Sequence, residues 1–201
     1  MKQHRKGALT MPDNLAYRDP VREERINGKF VAMSPRPVYN HNLLASNTFV
    51  LFSNYLKGRR CTPIADGTDL YLTEDDWFVP DMMVVCDREK IQGDGVHGAP
   101  DLVVEVLSPS TAKNDRTYKK DVYAKCGVKE YWIVSPDSKS VEVYYQEDGK
   151  LVLQEIYSVY PDWMLKGMKE EELAEVVTEF KCSLYDDFII SLEDIFDGMI
   201  P

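Results

Sequence analysis

Glu105 interrupts the segment Asp101 to Leu107, DLVVEVL, which has the strongest strand character in the chain. An ionised carboxylate desolvated inside a covered strand costs on the order of several kcal/mol unless positive charge compensates it. Exposure at a sheet edge or a single ion pair is the purely structural alternative. A second carboxylate, Asp81, follows Pro80 at the mouth of another β segment, 24 positions upstream. Carboxylates from two neighbouring strands are the anchors that a hard divalent cation needs. Downstream, Lys113, Arg116, Lys119, Lys120 and Lys125 place five cations within thirteen residues, and Lys119 shares a helical face with Tyr123 at i, i+4. Solvation alone accounts for a cation-rich helix. Taken together, Asp, Glu and Lys describe phosphate chemistry: carboxylates hold Mg²⁺ or Mn²⁺, the metal polarises a phosphate and acidifies a water, and a lysine orients that water or neutralises developing charge.

The elements that must position these groups follow from local patterns. Asp101 to Leu107 is bounded by Gly98-Ala99-Pro100 and Ser108-Pro109 and is apolar almost throughout, which predicts a central strand covered on both faces. Ser110 or Thr111 caps a helix running to about Lys125, with Gly127 at its C-terminal cap. Glu130 to Val134 returns as a strand, so residues 101–135 form a βαβ-like unit with parallel pairing. Met82 to Cys86 and Leu70 to Leu72 read as further strands. Near the start, Glu24 to Ile26 and Lys29 to Met33 flank Asn27-Gly28, a type I′ hairpin signature that Pro35 and Pro37 end. A helix of about four turns spans His41 to Leu56. A second hairpin, Ser140 to Gln146 and Lys150 to Tyr157, flanks Glu147-Asp148-Gly149, and a short helix covers Ser191 to Phe196.

Length and composition set the frame. At 201 residues, 44% hydrophobic and 29% charged, the chain is a folded protein with ample core, expected as a flexible arm over residues 1–19 and a single domain over residues 20–201. No apolar run approaches the ~18 residues of a membrane span, and the first residues lack an apolar core segment, so a cytoplasmic protein without a membrane partner is expected. Cys61, Cys86, Cys126 and Cys182 form no CxxC and read as reduced thiols. The net charge of −10 argues against indiscriminate coating of nucleic acid. That average conceals a basic front, +7 over residues 1–60, on a body of −17 over residues 61–201. Nucleotide-cradling GxxxxGK[ST], dinucleotide GxGxxG and nucleophile-elbow GxSxG motifs are absent. His4, His41 and His97 have no mutual metal spacing, so zinc is not expected.

Pro80-Asp81, APDLVVEVLSPST over 99–111, the Lys119 to Tyr123 stretch, GVKEYWIV over 127–134, the ERINGKFVAMSP hairpin over 24–35 and His41 together resemble the Uma2 family of endonucleases (DUF820), within the PD-(D/E)xK restriction-endonuclease-like superfamily. The resemblance spans roughly residues 20–198. It implies a restriction-endonuclease-like α/β fold: a mixed central β-sheet flanked by helices, with additional N-terminal and C-terminal β-hairpins. It places Asp81 on the superfamily's Asp and Glu105 on its Asp or Glu, as metal ligands with a contribution from the Val106 carbonyl. A strict ExK needs lysine at 107, where this chain has Leu107; in the Uma2 pattern Lys119, on the following helix, takes that role. Glu24 and His41 also match, Glu24 as an additional acid or a strand-surface carboxylate, His41 as a group orienting water or phosphate or as a helix cap. The expectation is a Mg²⁺- or Mn²⁺-dependent endonuclease acting on DNA. The alternative is a catalytically weak nucleic-acid-binding or assembly protein that keeps the fold. A homodimer is expected by analogy with double-strand cutters.

Overall fold

Asn27 and Gly28 take φ values of 51° and 75°, the left-handed pair that a type I′ turn demands. They join β1 (Glu23–Ile26) to β2 (Lys29–Ala32) as an antiparallel hairpin with Ile26 opposite Lys29. The computed structural model describes residues 23–33 and 38–200. The arm expected over 1–19, and Pro35 and Pro37, lie outside the described residues. Helix α1 (Tyr39–Leu56) then buries His41, Leu44, Thr48, Phe52 and Leu56 at spacings of three and four, the stripe that a helix needs to cover a sheet.

Six short strands follow: β3 (Thr62–Ala65), β4 (Leu70–Tyr71), β5 (Trp77–Phe78), β6 (Met82–Val85), β7 (Ile91–Gln92) and β8 (Gly95–His97), with a 3₁₀ turn at Arg88–Lys90. Strand β9 (Leu102–Val106) leads into a composite helix of α2 (Ala112–Asn114), a π turn over Asp115–Lys119, and α3 (Lys120–Cys126). Gly127 ends it at φ 98°, with its N–H bonded to the carbonyls of Tyr123 and Ala124. Thr111 stands at the N-terminus but makes no side-chain cap; its hydroxyl lies 3.0 Å from that of Ser108 instead. The chain continues through β10 (Glu130–Ser135), β11 (Ser140–Glu147), β12 (Lys150–Ser158), α4 (Asp162–Leu165), α5 (Glu170–Ala174), β13 (Glu179–Lys181), β14 (Ile189–Ser191) and α6 (Leu192–Phe196).

The central sheet runs β12-β11-β10-β9-β6-β3. Only β9 and β10 are parallel, as the crossover helix between them requires. Every residue of β9 is buried. Val104 and Val106 face a core with Leu44, Phe52 and the C-terminal Phe180 and Phe188, whereas Val103 faces a second core with Phe78, Val122 and Tyr123. The N-terminal hairpin is not a simple addition. It belongs to a second mixed sheet, β2-β1-β5-β4-β8-β7, in which Arg25 pairs with Trp77 and β4 runs parallel to β8.

The expectation of four reduced thiols fails at two positions. Thr62 pairs with Val85 in the β3–β6 ladder, so Cys61 falls directly across from Cys86, and the two form a disulfide with Cα atoms 3.9 Å apart. Cys126 and Cys182 are free. Among the described residues no helix is long and apolar enough to cross a membrane.

Candidate active site

Alternation along β9 turns Glu105 toward the face covered by α3 and the second sheet, where only 3% of it remains exposed. Its Oε1 accepts from the Tyr123 hydroxyl at 2.8 Å and from Lys119 Nζ at 3.1 Å. Lys119 also reaches Oε1 of Glu24 at 2.7 Å and Oδ1 of Asp115 at 3.7 Å, with its ammonium 5.4 Å from the Phe78 ring centroid. One buried ammonium therefore gathers three buried carboxylates, delivered by β1, β9 and the π turn. π turns are rare and concentrate at functional sites; this one spans the segment from Asp115 to Lys119, and the Tyr131 hydroxyl fixes its start by donating to the Asp115 carbonyl at 3.1 Å.

The same Oε1 of Glu24 also accepts the Val79 N–H at 3.0 Å. The hairpin carrying it is clamped by Asp76, whose Oδ1 accepts from the Asn27 N–H at 2.9 Å and from the Tyr118 hydroxyl at 2.8 Å. Tyr118 lies in the π turn, so one carboxylate ties the second sheet to the helix that supplies Lys119.

Asp81 stands just before β6. Extending the β6–β9 register by one step beyond Met82 opposite Val104 sets Asp81 across from Glu105. Asp81 Oδ2 accepts the Val106 N–H at 2.7 Å and lies 3.4 Å from Nε2 of His41, in the first turn of α1. Two groups thus meet at one end of the central sheet: Glu24, Glu105, Asp115 and Lys119 inside, Asp81 and His41 beside them.

Three acids around one ammonium leave an excess of negative charge in a poorly hydrated place. Burial pushes the Glu105 carboxyl well above its usual value; Lys119 opposes this, and the charges of Asp115, Asp81 and Glu24 add to the rise. Asp115 is raised for the same reasons, burial first, with Lys119 and a Thr111 hydrogen bond opposing. Its Oδ1 has no hydrogen-bond partner among the described residues. For Lys119, burial acts to lower the pKa, but Glu105, Glu24 and Asp115 outweigh it and the net shift is upward. Burial likewise works against the His41 imidazolium, yet the hydrogen bond and charge of Asp81, the charge of Asp66 and a bond with the Val106 backbone raise its pKa overall.

All five sequence candidates reach this end of the sheet. Lys119 meets Glu105 as a contact ion pair, and Lys120 points elsewhere, its ammonium 5.0 Å from the Tyr144 ring centroid. Val106 meets Asp81 through its N–H. Sequence reasoning missed Asp115 and Asp76. The Asp115 to Lys119 spacing of four was the available signal; Asp76 had none, because its partners come from the turn at Asn27 and from Tyr118. Among the described residues no three His, Cys, Asp or Glu side chains by themselves form a metal-holding group.

The family model "Uma2: Putative restriction endonuclease" matches residues 10–176, a span that includes every site residue above. The chain belongs to the Uma2 family. A Synechocystis sp. (strain PCC 6803) protein named "Uncharacterized protein slr1290" is 31% identical over 146 residues, covering 70% of this chain and 75% of the relative. Among solved structures, a "putative nuclease belonging to DUF820" from Anabaena variabilis is similar with a TM-score of 0.60 at 20% identity, over 88% of this chain and 90% of that one. That likeness establishes the restriction-endonuclease-like α/β fold for this Uma2 chain.

Proposed function

We propose that this Uma2 protein is a divalent-metal-dependent endonuclease that hydrolyses DNA phosphodiester bonds at the Asp81–Glu105 end of the central sheet. The observation that carries the reading is the excess of acids there: three buried carboxyl groups share one ammonium, and Asp115 Oδ1, 3.7 Å from that ammonium, accepts no hydrogen bond among the described residues. Such a donor set suits a hard cation. Mg²⁺ commonly takes one or two carboxylates and fills its remaining positions with water and substrate phosphate, so Asp81 and Glu105, with the Val106 carbonyl, would suffice to hold it. Bound there, Mg²⁺ or Mn²⁺ would polarise the phosphate and lower the pKa of a water.

The chain's own groups do the rest. Lys119 keeps Glu105 and Glu24 oriented and, at electrostatic range, offsets charge developing on the phosphate oxygens. His41, held by Asp81 and biased toward its cationic form, faces the phosphate from α1. Tyr123 fixes the Glu105 rotamer through its hydroxyl. A catalytically weak, nucleic-acid-binding role is the second reading, favoured by Leu107 at the ExK position and by the three carboxylates that engage Lys119. Nicking of supercoiled or single-stranded DNA separates the two. Cleavage that needs Mg²⁺ or Mn²⁺ and disappears in Asp81→Asn supports the endonuclease; DNA binding without cleavage under any divalent cation supports the weaker role.

A further inference from the structure

The opposite end of the same strands carries opposite charge. Lys57, Arg59 and Arg60 follow α1, and Arg88 comes from the 3₁₀ turn after β6; together they line a groove of about 950 Å³. Among the described residues no Asp or Glu lines it, in a chain whose net charge is −10. From Asp81 to Cys86 the strand advances about 16 Å, and from His41 to Lys57 the helix rises about 24 Å. This is a surface separate from the carboxylate site.

Its cations are built in rather than scattered. Arg60 Nε donates to the Cys86 carbonyl at 3.1 Å, and Arg88 Nε donates to the Arg60 carbonyl at 3.1 Å. Both guanidiniums are therefore anchored through Nε, beside the Cys61–Cys86 disulfide. Arg59 lies over the Tyr55 ring at 4.0 Å and pairs with exposed Asp187 at 3.2 Å, the one ion pair the groove's cations make among the described residues. The Lys57 ammonium makes no hydrogen bond or ion pair there. Cations just past a helix C-terminus favour its dipole, which is reason enough for Lys57 and Arg59 but not for Arg88, which belongs to another element. Four like charges converging with one exposed acid, Asp187, between them form a field suited to a polyanion.

We infer that the Lys57–Arg59–Arg60–Arg88 groove is a second nucleic-acid contact, gripping the phosphate backbone away from the carboxylate site. Anchored guanidiniums with outward N–H groups match phosphate oxygens geometrically, and the groove reads charge, not bases. Only the choice of nucleic acid over another polyphosphate rests on the function proposed above.

The test is equilibrium binding of a fluorescent 20-base-pair duplex in chelator, between 50 and 200 mM salt. It compares the full chain with Lys57→Gln, Arg88→Gln and the double variant, each checked for unchanged thermal unfolding. Each lost phosphate contact lowers the salt slope by about 0.9 and weakens binding roughly threefold to tenfold. Because Lys57 has no partner to lose among the described residues, its variant reports on the groove even where Arg88→Gln disturbs the loop. Unchanged slope and affinity in folded Lys57→Gln and double variants overturn the inference, as does duplex binding displaced by inorganic phosphate at concentrations too low to alter ionic strength. Cleavage does not enter the assay. A protein that cuts DNA but is indifferent to Lys57 and Arg88 refutes the groove alone; one that never cuts yet shows the Lys57-dependent slope refutes the endonuclease alone.

Discussion

Two carboxylates are buried at opposite ends of the central sheet, Glu105 near the end of β9 and Glu130 at the start of β10, and they are kept in opposite ways. Neutral donors satisfy Glu130: Trp132 Nε1 at 2.7 Å on one oxygen, and the Ser183 N–H at 3.0 Å with the Ser183 hydroxyl on the other. Those bonds pin the C-terminal segment to β10. Glu105 is balanced by charge, sharing Lys119 with Glu24 and Asp115, and that balance is incomplete. A carboxylate saturated by neutral donors holds a fold together, whereas carboxylates that outnumber their counterion need a proton or a cation to complete them. The proposed active site is the second kind.

The sharpest break between the two regions comes from Lys119→Ala. It leaves three buried acids without a counterion, so unfolding in denaturant should show a loss of about 3–5 kcal/mol, and metal-dependent nicking by the folded fraction should fall by about 10²–10³. Lys120→Ala, whose ammonium faces Tyr144, should change neither.

At the other end, Glu130→Ala strands the donors of Trp132 and Ser183 and should cost about 2–3 kcal/mol in the same measurement, with no effect on nicking per folded molecule. The pH dependence sharpens this. Burial raises the Glu130 pKa against the hydrogen bonds of Ser183, Trp132 and Cys182, so the folded state holds its proton more tightly than the unfolded chain does. This contribution to stability is present below the unfolded value of about 4.3 and is lost as pH rises through the folded value. Stability of Glu130→Gln should therefore fall less steeply over that window, by up to about 1.4 kcal/mol per pH unit.

The site should respond to pH through metal affinity instead. With Glu105 raised by burial and by its neighbours, protons compete with the cation, and Mn²⁺ affinity measured by calorimetry should drop as the pH is lowered, by up to about tenfold per pH unit. Flat affinity would argue that Glu105 is not a ligand. The smallest effect is expected from Tyr123→Phe, which removes one of two bonds to Glu105 Oε1 and should cost about 1 kcal/mol while leaving nicking within a few-fold of wild type.

Much of this was legible in local pattern. Asn27-Gly28 dictated its turn, the apolar run of β9 its central place, and Gly127 its helix end, because each depends on nearest neighbours. The anomaly of Glu105 inside that run pointed to the site, and the spacing of Lys119 and Tyr123 to its partners. Hidden features depended on pairing across the sheets. Strands β5 and β7 have two residues each, too few for periodicity. Pro63 masked β3, and with it the register that bonds Cys61 to Cys86. The π turn leaves no mark on the apolar spacing, so the helix reads as unbroken and Asp115 as an ordinary first-turn acid.

The central claim is that the charge excess around Glu105 is a divalent-cation site and that Glu130 is not. Calorimetric titration of Mn²⁺ at pH 7.5 into wild type, Glu105→Gln and Glu130→Gln tests it directly. The account predicts one saturable site in wild type and Glu130→Gln, and its loss or a weakening of at least tenfold in Glu105→Gln. Equal Mn²⁺ binding in Glu105→Gln and wild type, with both folded, would contradict it.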